Sequence, residues 1–234
     1  MKCHAFGYAG SSDNAFISLN AGWPWALSLQ QYVYPGRGSR VSADFAASLG
    51  SLARQAAQEI AAEQPVVLLG YSLGALVAYE TARVLRSQNK QVASLVVCAM
   101  NAPHCQQPSR QVHQMDLPEL TRYLADLGGT PPEILRSTEL MAWFAPAIQA
   151  DYRLLDGYLP PSEGALDCPI VALYGEDDPL TTLTGIKEWR RCTRASFECA
   201  SLPGGHFFLQ NQPETMTSLL FNLLPSLTLK EISV

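Results

Sequence analysis

The run Pro65-Val66-Val67-Leu68-Leu69-Gly70-Tyr71-Ser72-Leu73-Gly74-Ala75-Leu76, carried on without glycine or proline to Arg86, decides how this chain folds. Val66 to Leu69 is apolar or β-branched at every position, as suits a strand buried on both faces of a parallel sheet. Gly70-Tyr71-Ser72-Leu73-Gly74 follows, and the next segment reads as helix. A strand, G-x-S-x-G and a helix in that order make a nucleophile elbow, a sharp turn that lifts the central serine above the sheet. The turn forces the serine into a strained backbone conformation, and a Cβ at either flanking glycine would strike a neighbouring element. The serine then stands at a helix N-terminus, whose N–H groups and dipole favour developing negative charge. The bland alternative is a glycine-flanked turn in which Ser72 is only a cap.

Outward from this point the rhythm is α/β. Cys3 to Phe6 reads as a short strand running into Gly7-Tyr8-Ala9-Gly10-Ser11-Ser12, a loop of mostly small residues with N–H groups to offer. In a hydrolase of this layout an early strand-to-helix loop supplies one oxyanion donor and the residue after the nucleophile supplies the other. That pairs the N–H groups of Ala9 and Leu73. Gln30 to Tyr34 reads as a strand ended by Pro35-Gly36-Arg37-Gly38. Ser42 to Glu63 has helical spacing, with Phe45, Leu49, Leu52, Ala53, Ala56 and Ile60 on one face. Val92 to Met100 is a further strand, so strands alternate with helices as in a mostly parallel sheet with helices on both faces.

From about residue 102 to 166 the strands stop. Asp116-Leu117-Pro118-Glu119 opens a helix that Gly128-Gly129 ends, Pro131-Pro132 begins another, and Leu140, Met141, Trp143, Phe144 and Ile148 mark a third. Such an insertion over the strand ends is expected to form a lid above the substrate pocket, the plainer alternative being helices that simply pack on the core. Sheet rhythm returns at Pro169 to Tyr174, followed by Gly175-Glu176-Asp177-Asp178-Pro179. A last strand spans Ser196 to Leu202, then Pro203-Gly204-Gly205-His206 and a closing helix from about Gln212 to Leu224.

With this layout the chain order of a serine hydrolase triad is serine, acid, histidine. Of the four histidines, His4 is too early and His104 and His113 precede the acid, which leaves His206. Asp177 and Asp178 are the candidate acids, and Asp178, next to Pro179, is preferred; Asp177 then caps the turn. His206 would deprotonate Ser72 and later protonate the leaving group, with the acid holding the imidazole.

Bulk composition narrows the class. At 234 residues, 47% hydrophobic and 16% charged with net charge −5, the chain suits one soluble domain. There is no basic run for nucleic acid and no 18-residue apolar segment for a membrane span. Met1-Lys2-Cys3-His4 opens no signal-peptide core, and six cysteines without a C-x-x-C pair read as buried free thiols. A cytoplasmic monomer with no metal is expected.

The motifs taken together resemble the type II thioesterases, stand-alone α/β-hydrolases serving non-ribosomal peptide and polyketide synthases. The resemblance covers nearly the whole chain. Phe6 to Ser11 is similar to the family's entry loop, with Gly7 where proline is usual and Ser11 where a second glycine is common. Tyr34 to Arg40 resembles its P-G-R-G turn, Gly70 to Ala75 its elbow, and Ala150 to Leu155 the segment closing its lid. Leu166 to Ile170 leads into its acid loop, Gly175 to Pro179, and Pro203 to Leu209 matches its histidine loop. The resemblance implies the triad Ser72, Asp178 and His206 with Ala9 and Leu73 as oxyanion donors. It also implies hydrolysis of acyl thioesters on the phosphopantetheine arm of a carrier protein, with no organic cofactor of the enzyme's own. Arg37 and Arg40 are conceivable contributors to steering a carrier, although solvated surface arginines is the plainer reading. A general carboxylesterase, an acyltransferase using the same triad, and a non-catalytic carrier-binding protein are the alternatives.

Overall fold

The computed structural model describes residues 1–19, 22–23, 27–60, 64–105, 109–161 and 165–223. Six strands form one sheet: β1 (Lys2–Phe6), β2 (Ser28–Tyr32), β3 (Val66–Tyr71), β4 (Val92–Cys98), β5 (Ile170–Gly175) and β6 (Phe197–Leu202), in the order β2-β1-β3-β4-β5-β6. Every pairing is parallel. All strands therefore end at the same edge, and the loops that follow β1, β3, β5 and β6 are gathered there.

The alternation of side chains along β3 explains the two layers. Val66 and Leu68 join a core that holds α1 (Leu49–Glu59) and α2 (Leu73–Ser87) against one face. Val67, Leu69 and Tyr71 join a second core on the other face, closed by α7 (Phe208–Asn211) and α8 (Pro213–Leu223). A strand buried on both faces has no polar side to show, which is why its sequence is an unbroken apolar run.

Between β4 and β5 lie α3 (Leu117–Leu127), α4 (Pro132–Arg136) and α5 (Thr138–Asp156), and α6 (Leu183–Lys187) follows β5. They share a small core of their own: Val112, Leu120, Leu124, Met141, Ala145 and Ile148. Asp116 caps α3 in a reciprocal box with Glu119, and Gly128 and Gly129 end it with φ of +81° and +78°. The expected insertion over 102–166 is thus helical, its residues 106–108 and 162–164 lying outside the described residues.

Several boundaries differ from the sequence reading. The helix expected from Ser42 begins only after Ser48, whose hydroxyl forms a capping box with Ser51. Phe45, expected on the buried face, is 40% exposed and lies over Gly36, whose φ is +83°; positions 61–63 are outside the described residues. The second strand is Ser28–Tyr32 rather than Gln30–Tyr34, because its ladder with β1 ends where β1 does, at Phe6↔Tyr32. β4 stops at Cys98 because Ala99 turns left-handed, with φ 54°. The closing helix expected from about Gln212 is α8, which opens at Pro213 where a missing N–H costs nothing, and the short α7 precedes it; Leu224 falls outside the described residues.

All six cysteines are free; Cys3, Cys98, Cys168 and Cys192 are buried, and Cys105 and Cys199 are half-buried. No described helix is long and apolar enough to cross a membrane.

Candidate active site

Ser72 joins β3 to α2 with φ 54° and ψ −121°, a conformation that an L residue holds only when its surroundings enforce it. The enforcement is visible on both sides. A Cβ on Gly70 would lie 2.5 Å from the Ala75 Cα, and one on Gly74 would lie 2.7 Å from the Gly7 carbonyl oxygen. Ser72 N–H donates to the Cys98 carbonyl (2.8 Å), which ties the turn to the neighbouring strand.

His206 Nε2 stands 2.9 Å from Ser72 Oγ, and His206 Nδ1 stands 2.9 Å from Asp178 Oδ2. All three residues are buried, at 7%, 3% and 6% exposure for Ser72, His206 and Asp178. With Nδ1 protonated toward the carboxylate, Nε2 is left to accept the serine proton, so the order of the chain fixes the tautomer. Asp178 comes from the turn after β5 and His206 from the turn after β6. The two turns are laced together: Glu176 N–H donates to Leu202 (2.9 Å) and Asp177 N–H to Gly204 (3.0 Å). Gly175 permits this approach, since a Cβ there would sit 2.6 Å from the Gly204 carbonyl oxygen.

Between the two candidate acids the geometry distinguishes sharply. Asp178 faces the imidazole with one oxygen and accepts Leu180 N–H with the other (2.9 Å). Asp177 is exposed. Turn capping, expected of the second aspartate, is therefore performed by Asp178 itself.

Leu73 opens α2 and is fully buried. Ala9 lies in the loop after β1, which the Gly74 contact with Gly7 lays alongside the first turn of α2. Both expected N–H donors thus come from segments that touch each other beside Ser72.

Three side chains of this site escaped the sequence reading. Tyr71, buried beneath the elbow, donates its hydroxyl to the His206 carbonyl (2.6 Å) and accepts from Leu209 N–H (3.3 Å). Burial pushes its phenol well above the ordinary value, so it stays a donor. Its place as the x before the serine was the available signal. Arg37 and Asp151 are the other two: Arg37, read as a surface arginine, is buried in an ion pair with Asp151. Only distance in sequence hid that pairing. Arg40 bonds Tyr32 (2.9 Å) and pairs with Glu59 (3.1 Å).

A cavity of about 450 Å³ opens at Ser72 and His206, a size in the range of small-molecule sites. Leu76, Met100, Leu155 and Leu180 supply apolar wall, and the phenols of Tyr123 and Tyr152, 3.1 Å apart, supply a polar one. Tyr158, also in the wall, donates to the buried Glu80 of α2 (2.7 Å), which anchors the end of the insertion to the elbow helix. Among the described residues one set of metal-ligand type, His104, Cys105 and Glu188, brings its ligand atoms within 4.8 Å. Its carboxylate is already shared by His104 (2.8 Å) and Arg191 (3.1 Å).

A family model described as thioesterase domain matches residues 3–224. The thioesterase PikA5 of Streptomyces venezuelae is 36% identical over 212 residues, spanning 88% of this chain and 74% of its own length. Among solved structures, the RedJ thioesterase of the prodiginine pathway in Streptomyces coelicolor superposes with a TM-score of 0.89 at 29% identity, covering 96% of this chain and 90% of that one. The type II thioesterase BorB of the borrelidin cluster superposes at 0.87 with 31% identity, covering 95% and 92%. The fold shared with these neighbours is that of the α/β-hydrolases.

Proposed function

This chain belongs to the thioesterase domain family, and from that premise we propose that it hydrolyses acyl thioesters on the phosphopantetheine arm of carrier proteins in a non-ribosomal peptide or polyketide assembly line. The observation that carries the reading is the buried hydrogen-bonded chain from Asp178 through His206 to Ser72, whose last two members line the cavity.

In this reading His206 Nε2 takes the proton of Ser72 as Oγ attacks the thioester carbonyl carbon. Asp178 holds the imidazole by Nδ1 and stabilises the imidazolium that forms. The oxyanion is received by the N–H groups of Leu73 and Ala9, with the N-terminus of α2 behind the first. The C–S bond breaks, His206 returns its proton to the departing phosphopantetheine thiol, and the acyl group stays on Ser72. A water then gives its proton to His206 and its oxygen to the acyl carbon, and His206 passes that proton to Ser72 Oγ as the acyl–oxygen bond breaks, releasing a carboxylic acid and the free serine. The helices α3 to α5 act as the lid that shapes the acyl site, and Tyr71 keeps the His206 loop in place throughout. The role is clearance of stalled or mis-primed acyl groups, or release of product, by an enzyme of the cytoplasm.

The test is intact-mass spectrometry of an acetyl-loaded carrier protein incubated with the wild type and with Ser72→Ala. Loss of the acetyl mass with the wild type alone is expected. Retention with both, over a panel of acyl groups and carriers, while the wild type cleaves p-nitrophenyl esters, would replace this reading with that of a carboxylesterase.

A further inference from the structure

The loop that carries Ala9 is held at both ends by groups outside it. Tyr34 donates its hydroxyl to the Gly7 carbonyl (2.8 Å), and Gly10 N–H donates to Asp151 Oδ2 (2.7 Å). Tyr34 and Arg37 lie on the turn after β2, and the guanidinium of Arg37 sits over the Tyr34 ring, 5.4 Å from its centroid. Arg37 grips Asp151 with both arms of its fork, Nη1 to Oδ2 at 2.5 Å and Nη2 to Oδ1 at 2.7 Å. Asp151 belongs to α5 and is 2% exposed; Arg37 is 9% exposed. The same helix presses on the loop through Ile148, whose Cγ1 would lie 2.5 Å from a Cβ on Gly10.

A buried ion pair is a poor device for stability alone, because desolvation of both charges cancels most of its attraction and apolar residues of like volume often serve as well. What a bidentate pair supplies is direction: the planar fork permits few orientations of the carboxylate. Here the fixed carboxylate oxygen is the one that receives Gly10 N–H, one peptide from Ala9.

We propose that Arg37 and Asp151 are a positioning pair, which with Tyr34 clamps the loop from Gly7 to Gly10 and aims the Ala9 N–H at the developing oxyanion, so that the seating of α5 governs catalysis. The proposal rests on the reading of Ala9 as a donor. It makes Asp151 a group that acts through the loop, without touching substrate.

The test compares two double variants that each avoid an orphaned charge. Arg37→Met/Asp151→Leu removes the acceptor for Gly10 N–H, whereas Arg37→Gln/Asp151→Asn keeps an amide oxygen there. Three quantities are read: kcat and KM on an acyl-loaded carrier, the affinity of a trifluoromethyl ketone analogue of the acyl-pantetheine, and that of an unreactive thioether analogue. The ketone forms an oxyanion on Ser72; the thioether forms none. For the apolar variant, kcat and ketone affinity are expected to fall together by about 100-fold, the scale of one lost oxyanion donor. Its KM and thioether affinity should stay within about threefold, and the amide variant should keep kcat within about tenfold of wild type. An apolar variant with wild-type kcat, or with kcat reduced but ketone affinity intact, overturns the proposal. If that variant does not fold, Tyr34→Phe decides: about a tenfold parallel loss is expected, and no change in either quantity overturns it. Ser72→Ala in the same assay separates the two levels, since hydrolysis by that variant would remove the active-site reading itself, whatever the clamp variants do.

Discussion

Gly7 and Ser11 occupy one shared space: a Cβ on Gly7 would lie 2.8 Å from the Cβ of Ser11 and closer still to its hydroxyl. A side chain at position 7 therefore competes with that of Ser11 for one gap. Gly7→Ala alone should destabilise the fold by about 1–3 kcal/mol through overpacking. Adding Ser11→Gly should recover much of that loss, giving a coupling of about 0.5–3 kcal/mol in a double-mutant cycle followed by urea unfolding. Strict additivity would mean that the two residues do not compete.

Substitutions along the hydrogen-bonded chain should grade by role. Ser72→Ala and His206→Ala are each expected to cut kcat by about a million-fold, as in serine proteases where the triad works as a unit. Asp178→Asn should cost about 10⁴-fold by presenting the wrong tautomer. Asp177→Asn, on the solvent side of the same turn, should stay within about threefold. Rates on an acyl-loaded carrier protein check the series, and a larger loss from Asp177 than from Asp178 would reverse the assignment of the acid.

The cavity makes a prediction about chain length. Leu155 lies in its wall, so Leu155→Trp should fill part of the acyl space. Hydrolysis of an octanoyl carrier should then fall by about tenfold or more relative to the acetyl carrier, the scale on which a pocket resolves added methylenes. Competition between the two loaded carriers in one reaction gives the ratio directly. Equal losses for both would place the acyl chain elsewhere.

The thiols should be silent in the native state. Burial pushes Cys168 up to about 11 and Cys192 up to about 12, raises Cys3 and Cys98 further still, and raises Cys105 as well. A raised thiol pKa keeps the unreactive protonated form, so at pH 8 a disulfide reagent should titrate at most Cys105 and Cys199 before denaturation, and all six afterwards. The sign for stability follows from the same shifts. Above about pH 9 the unfolded chain ionises its cysteines while the folded chain holds their protons, so stability should fall as pH rises from there. Rapid native titration of four or more thiols would contradict the burial.

The sequence alone determined the architecture and pointed to the candidate site, because both were written in local signals. An apolar run too continuous for a one-sided strand marks β3, glycines that must lack a Cβ frame Ser72, and a single histidine after the late strands is left as the candidate base. Boundaries such as the start of α1 were less legible, since a short capping box outweighs a longer helical period. What only the tertiary structure decided are the relationships between residues far apart in the chain. Asp178 is already preferred in the sequence, but that its carboxylate turns inward to the imidazole while that of Asp177 stays exposed is a tertiary fact. The pairing of Arg37 with Asp151 spans 114 positions, and the hold of Tyr71 on His206 spans 135. Each depends on where the parallel strands deliver their following loops, a property of how the sheet is ordered and twisted that no local pattern of residues encodes.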